Sequence, residues 1–182
     1  MNNLIKTLLL VVLFVFFGSA NLYAQRYASR NGIVKLSYNA PHGKMETINR
    51  QVNAGLNVKT GEVFLRIVML SFRFESAYNQ EKFNEYFIAN AHFANSSFQG
   101  VIENLDEIDF TRKGEYEARV RGKLTLRETT CEVATTGKFI VGDNSFHGKG
   151  VFLANLMDFN FKIPPSMEKY IEVSFEVKLQ KL

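Results

Sequence analysis

The side chains that could do chemistry are few and far apart. The 182-residue sequence holds one cysteine, Cys131, and three histidines, His42, His92 and His147. A zinc site needs three or four such ligands at short spacings, and these do not have them. His42 and His147 each precede a glycine and read as turn residues, while His92 follows a helical segment. No Gly-x-Ser-x-Gly elbow marks a serine as a nucleophile. Asp106, Glu107 and Asp109 lie in a polar loop, without the apolar surroundings that raise a carboxyl pKa. Asp158 is an acid in a mostly apolar run and reads as solvent-facing or as a structural hydrogen-bond acceptor. Cys131 follows a turn and reads as a half-buried small hydrophobe; an odd thiol in an oxidising compartment could instead bridge two molecules. Arg66 and Arg73 interrupt an apolar strand, and Arg73 can meet a carboxylate such as Glu75 or a ligand's polar head. Glu81 and Lys82 form a solvated face or meet such a head. No catalytic or metal constellation assembles, so the expectation is a protein that is not an enzyme and has no cofactor.

The elements that must position these residues begin after a leader. Hydrophobic residues make up 46%, aromatic residues 13% and charged residues 22%. That is a globular composition. The 22 basic and 18 acidic side chains are spread along the chain, with no basic tract for nucleic acid and no acidic tail. Residues 1–24 read as a secretory signal peptide. Lys6 gives the positive start, Thr7 to Phe17 the apolar run, and Leu22-Tyr23-Ala24 a cleavage site before Gln25. The run is shorter than the roughly 20 residues a spanning helix needs. The expectation is an exported protein, periplasmic or secreted, whose domain is residues 25–182. It makes no stable membrane insertion after leader removal and has no nucleic-acid partner.

Period-two alternation dominates that domain. In Tyr116–Leu126 every even position is apolar or Gly and every odd one polar. Ile171, Val173, Phe175, Val177 and Leu179 form one face of another strand. Cys131, Val133, Thr135, Gly137 and Phe139 form a third face, and Val151, Leu153, Asn155, Met157 and Phe159 a fourth. Ile33–Asn39, Ile48–Asn57, Glu62–Phe74 and Ser96–Asn104 are the remaining strands. Val63–Phe74 is apolar on both parities, which predicts cover on its outside as well. Turns are expected at Asn57–Gly61, Gly142–Asn144 and Pro164-Pro165. One helix is expected from Gln80 to Ala89, capped by Asn79, with Phe83 and Phe87 on one face. Eight strands with short connections predict an all-β, eight-stranded antiparallel lipocalin-like barrel with one short helix between strands three and four.

In order, these segments resemble the YceI-like family of exported lipid-binding proteins, over roughly residues 27–181. The resemblance rests on Asn31 to Pro41, on Thr60–Phe64 leading to Leu70–Phe74, and on the helical Glu81–Phe87. It continues through Phe93 to Gly100, the hairpin Gly122–Thr130, and the close Asp158–Pro164. The chain departs from the family pattern at Lys82, usually His, at Ala94, usually Pro, and at Glu128, usually Gly.

The resemblance implies a barrel that encloses a long isoprenoid, a polyprenyl phosphate or a quinone. The residues then expected at the ligand are Met69, Phe83, Phe87, Phe98, Val120, Leu124, Leu126, Val173, Phe175 and Val177, with Lys82 at the head group. Ala118, Gly122, Thr135 and Gly137 are small inward positions that would leave space. The alternative is a filled barrel that acts as a docking or accessory module for a membrane redox or stress-response partner. Inward alternation looks the same in a hollow and a filled barrel, and it says nothing of oligomeric state.

Overall fold

In the computed structural model, residues 26–40, 43–88, 93–161 and 168–182 are described. The leader, His42, His92 and Pro164-Pro165 lie outside them. The eight strands are β1 (Arg26–Ala40), β2 (Gly43–Asn57), β3 (Glu62–Val68), β4 (Asn95–Ile102), β5 (Gly114–Leu126), β6 (Thr129–Val141), β7 (Ser145–Asn155) and β8 (Tyr170–Lys181). Each pairs with its sequence neighbours, and β8 pairs back onto β1, which closes an antiparallel barrel. Closure leaves no edge strand unpaired. The short helix α1 (Ala77–Phe83) and a following π turn, Asn84–Ile88, lie between β3 and β4.

Alternation becomes inside and outside. Along β5 the inward Ala118 and Leu124 are buried, while Glu117, Arg121 and Lys123 are exposed. Two buried clusters form, one at each end. The upper one, beside α1, includes Val34, Leu36, Met69, Phe72, Phe83, Phe87, Leu156 and Ile171. The lower one includes Leu56, Ile102, Ile108, Phe139, Val141, Phe146 and Leu179.

The wall is not uniform. β5 and β6 pair along their whole length, from Gly114 opposite Val141 to Leu126 opposite Thr129. β6 and β7 pair only from Gly137 opposite Gly150 to Val141 opposite Phe146. Above that point side chains hold the seam. Thr135 Oγ1 donates to the Val151 carbonyl at 3.0 Å, and Asn160 Nδ2 donates to Thr129 Oγ1 at 3.2 Å.

The structure corrects three sequence expectations. First, β3 stops at Val68, and Met69–Ser71 forms a 3-10 turn. The buried Met69 and Phe72 are three residues apart, the period of a turn, and this mimicked a strand apolar on both parities. Among the described residues nothing covers the outside of β3: Phe64 is 50% exposed and lies over Gly55 on the neighbouring strand. Second, β7 runs in the opposite phase. Val151 and Leu153 are 52% and 66% exposed, and the inward residues are Phe146, Gly148, Gly150, Phe152 and Ala154. Two inward glycines carry no apolar signal, so the outer Val and Leu dominated the pattern. The strand also ends at Asn155, and Leu156–Phe159 forms another 3-10 turn. Third, the helix starts earlier, with Ser76 as the cap: its side chain accepts from the Asn79 amide.

Asn49 joins β2 to the end of β3. It is fully buried; its Nδ2 donates to the Val68 carbonyl at 2.8 Å, and its Oδ1 accepts from the Gln51 amide at 2.8 Å. Replacing Asn49 by Leu leaves the part-buried Gln51 amide and Val68 carbonyl without their partner, each costing about 1–3 kcal/mol. Asn49→Leu is expected to lower unfolding free energy by about 2–4 kcal/mol in a urea titration with unchanged m. A loss under about 0.5 kcal/mol would contradict this role for Asn49.

Candidate ligand-binding cavity

An eight-stranded barrel is just wide enough for its side chains to fill, or to hold one slim ligand. Here the inward positions of adjacent strands are glycines in two places. Gly100 faces Gly122 across β4 and β5, and Gly137 faces Gly150 across β6 and β7. The aromatic neighbours use the space. A Cβ at either Gly100 or Gly122 would stand 2.7 Å from Cζ of Phe98, so that ring lies flat across the glycine pair. A Cβ at Gly150 would stand 2.7 Å from Cζ of Phe175, so that ring lies over Gly150, while Gly137 beside it is crowded by the β7 backbone at Lys149. Two large side chains are thus held against the wall and do not cross the lumen.

A cavity of about 160 Å³ remains between the two buried clusters. Its walls are almost wholly apolar. It follows β8 from Ile171 to Leu179, about 26 Å at a strand's rise per residue. Phe98, Leu126, Val133, Phe152, Val173 and Phe175 point inward and line it, yet are only partly buried. A packed core would bury them fully; here they border open space.

Aromatic rings close both ends. At the top Phe83 and Phe87 stack at 4.7 Å, Phe72 and Phe74 pack on Phe83 at 5.3 and 5.2 Å, and Phe161 packs on Phe87 at 5.0 Å. At the bottom Phe110, Phe139 and Phe146 meet at 5.4–5.6 Å. The helix forms the upper plug because its apolar face, at four-residue spacing, turns toward the barrel.

Nine of the eleven residues expected at a ligand line the cavity: Met69, Phe87, Phe98, Val120, Leu124, Leu126, Val173, Phe175 and Val177. Phe83 is buried behind Phe87 and lines the plug only. Lys82 is not on the cavity either. It pairs with Glu85 at 2.8 Å on the outer face of the helix; that hydrogen bond and the Glu85 charge raise its pKa. The spacing of Phe83 and Phe87 turns their face inward and leaves Lys82 facing out. Thr135 and Gly137 also line the cavity, as does Ala118.

The other singled-out residues are held locally. Arg73 Nη1 donates to the Leu70 carbonyl at 2.9 Å, closing the turn after β3. Arg66 Nε donates to Asn95 Oδ1 at 3.3 Å. Asp158 accepts from Asn155 Nδ2 at 3.0 Å. Glu107 pairs with Arg119 at 2.5 Å, and hydrogen bonds from Arg119 and Asn104 lower its pKa. His147 meets Glu176 at 2.8 Å. The Cys131 thiol donates to the Asp158 carbonyl at 3.1 Å; burial and then the Asp158 charge raise its pKa.

Sequence reasoning missed Arg127. It occupies the β5–β6 hairpin with φ 53°, in the left-handed region that only Gly adopts readily. Its guanidinium sits over the Phe161 ring at 4.7 Å and the Phe93 ring at 5.7 Å. Nε donates to the Phe87 carbonyl at 3.3 Å, and Nη2 donates to the Tyr86 carbonyl. A cation one residue beyond the inward Leu126 was the available signal, but a hairpin cation ordinarily faces solvent.

The profile of the YceI-like domain matches residues 28–180. No curated protein sequence matches the chain significantly. Among solved structures, a polyisoprenoid binding domain from Saccharophagus degradans, implicated in plant cell wall breakdown, superposes with TM-score 0.74. It is 10% identical, over 87% of this chain and 99% of that one. BcnA from Burkholderia cenocepacia is 14% identical, with TM-score 0.65 over 82% and 96%. The Campylobacter jejuni YceI protein is 11% identical, with TM-score 0.56 over 75% and 84%. At these identities the likeness is one of fold.

Leu124 lines the cavity opposite Phe98 across the β4–β5 ladder. Leu124→Trp is expected to fill the lumen and abolish uptake of an apolar fluorescent probe. The barrel should stay folded, with a Tm fall of about 2–10 °C. Unchanged uptake in the folded variant would show that Leu124 is off the ligand's path.

Proposed function

The chain belongs to the YceI-like family, and on that premise we propose that it is an exported, non-enzymatic carrier that encloses one long isoprenoid chain in its barrel. The observation that carries the reading is the continuous apolar cavity between the two aromatic plugs. Its driving force is exclusion of water from the chain, about 0.8 kcal/mol per buried CH₂. Ordering a flexible tail offsets part of that gain. A slim, branched chain suits a lumen whose walls are Val, Leu and flattened Phe and which offers few polar partners along its length.

The cavity favours this reading over a filled barrel that works only through its outer surface. Export rests on residues 1–24. Among the described residues no helix is long and apolar enough to cross a membrane. A carrier in this reading takes its lipid from one apolar environment and shields it through water. The family likeness and the shape and apolarity of the lumen support a polyprenyl phosphate or a quinone as the ligand class.

Protein purified after export from a bacterial host should release a polyprenyl or quinone species on organic extraction, close to one per chain by mass spectrometry. Native mass spectrometry should show the same added mass. Protein at its bare mass that stays empty after incubation with such lipids would overturn the carrier reading in favour of the docking module.

A further inference from the structure

Arg127 is a cation that no described carboxylate pairs with, and it packs on the aromatic plug that closes one end of an apolar cavity. Its neighbours in sequence and space tie it to that cavity. Leu126, one residue before it, lines the lumen, and so does Phe87, whose carbonyl accepts from Nε at 3.3 Å. The Phe161 ring lies between the Phe87 ring, at 5.0 Å, and the guanidinium, at 4.7 Å. Two carbonyls and two aromatic faces hold the group, and a left-handed backbone at φ 53° carries it.

Its charge is not balanced. Arg119 pairs with Glu107 and Arg121 with Glu103, at 2.5 and 2.7 Å. Among the described residues no carboxylate pairs with Arg127, and those residues contain every Asp and Glu of the sequence. Burial lowers its pKa with no neighbouring charge to offset the cost. A guanidinium has five N–H donors. The two carbonyls take one from Nε and one from Nη2, and among the described residues the remaining donors have no partner, a fork suited to an oxyanion.

We propose that Arg127 is the head-group site of the cavity, selecting an amphiphile whose apolar chain ends in a compact oxyanion such as a phosphate monoester. This rests on the carrier reading above and narrows it: a neutral quinone leaves the guanidinium uncompensated, and a phosphate does not. Lys82, already paired with Glu85, plays no part.

The test compares geranylgeranyl monophosphate with geranylgeraniol, which share one tail, and adds inorganic phosphate, all on the full exported chain. A charge-assisted fork predicts roughly ten- to hundredfold tighter binding of the phosphate in low salt, shrinking as salt is raised. Arg127→Gln should remove that preference while alcohol binding persists, and Arg127→Lys should keep part of it. Inorganic phosphate alone should bind too weakly to compete at millimolar concentration. Equal affinity of the unaltered protein for phosphate and alcohol would overturn the head-group site and leave the carrier reading standing. So would a preference that survives in Arg127→Gln. Inorganic phosphate that binds as tightly as the lipid phosphate would overturn the assignment to an amphiphile. If the unaltered protein takes neither lipid, the carrier reading itself fails, and this inference with it.

Discussion

Everything in this structure depends on closure of an antiparallel ladder around positions that have no side chain. A closed eight-stranded barrel pairs most of its backbone within the wall, here all but the upper β6–β7 seam, so what fills the lumen is decided by inward side chains. At Gly100, Gly122, Gly137 and Gly150 there are none. Phe98 and Phe175 lie flat in the space this leaves, so their bulk becomes wall. The lumen that remains is long, narrow and apolar, and the aromatic plugs at its ends exclude water. An empty apolar space of this kind forfeits contacts that a ligand can restore.

Much of the fold was legible because alternation translates directly into barrel geometry. Tyr116–Leu126 and Ile171–Leu179 alternate cleanly, and the structure places their even and odd positions on the expected sides. β7 was misread for a reason that belongs to the site. Its inward face contains Gly148 and Gly150, which leave room and therefore give no hydrophobic signal, while Val151 and Leu153 point outward. The end of β3 was misread because Met69 and Phe72, buried from a 3-10 turn, extend an apolar run past the strand. The features that hollow the barrel are thus the ones that blur its pattern.

The site was legible where it is wall and illegible where it is an end. Inward strand residues such as Val120, Leu124 and Val173 follow from parity alone. The position of a helix side chain depends on how the helix docks, and docking turned Phe87 toward the cavity, Phe83 behind it and Lys82 outward. Arg127 could not be found from spacing. Its significance comes from Phe161, 34 residues later in the chain, and from the Tyr86 and Phe87 carbonyls, some 40 residues earlier. Tertiary proximity of an uncompensated charge to an apolar pocket leaves no mark in local sequence.

The central claim is that the lumen is open and dry. A crystal of lipid-free protein pressurised with xenon tests it most directly, because xenon enters apolar cavities and leaves packed cores empty. The account predicts xenon density inside the barrel, between the flattened rings of Phe98 and Phe175, with Phe98 still against Gly100 and Gly122 and Phe175 still against Gly150. Rings rotated into the lumen, with no xenon between them, would contradict it.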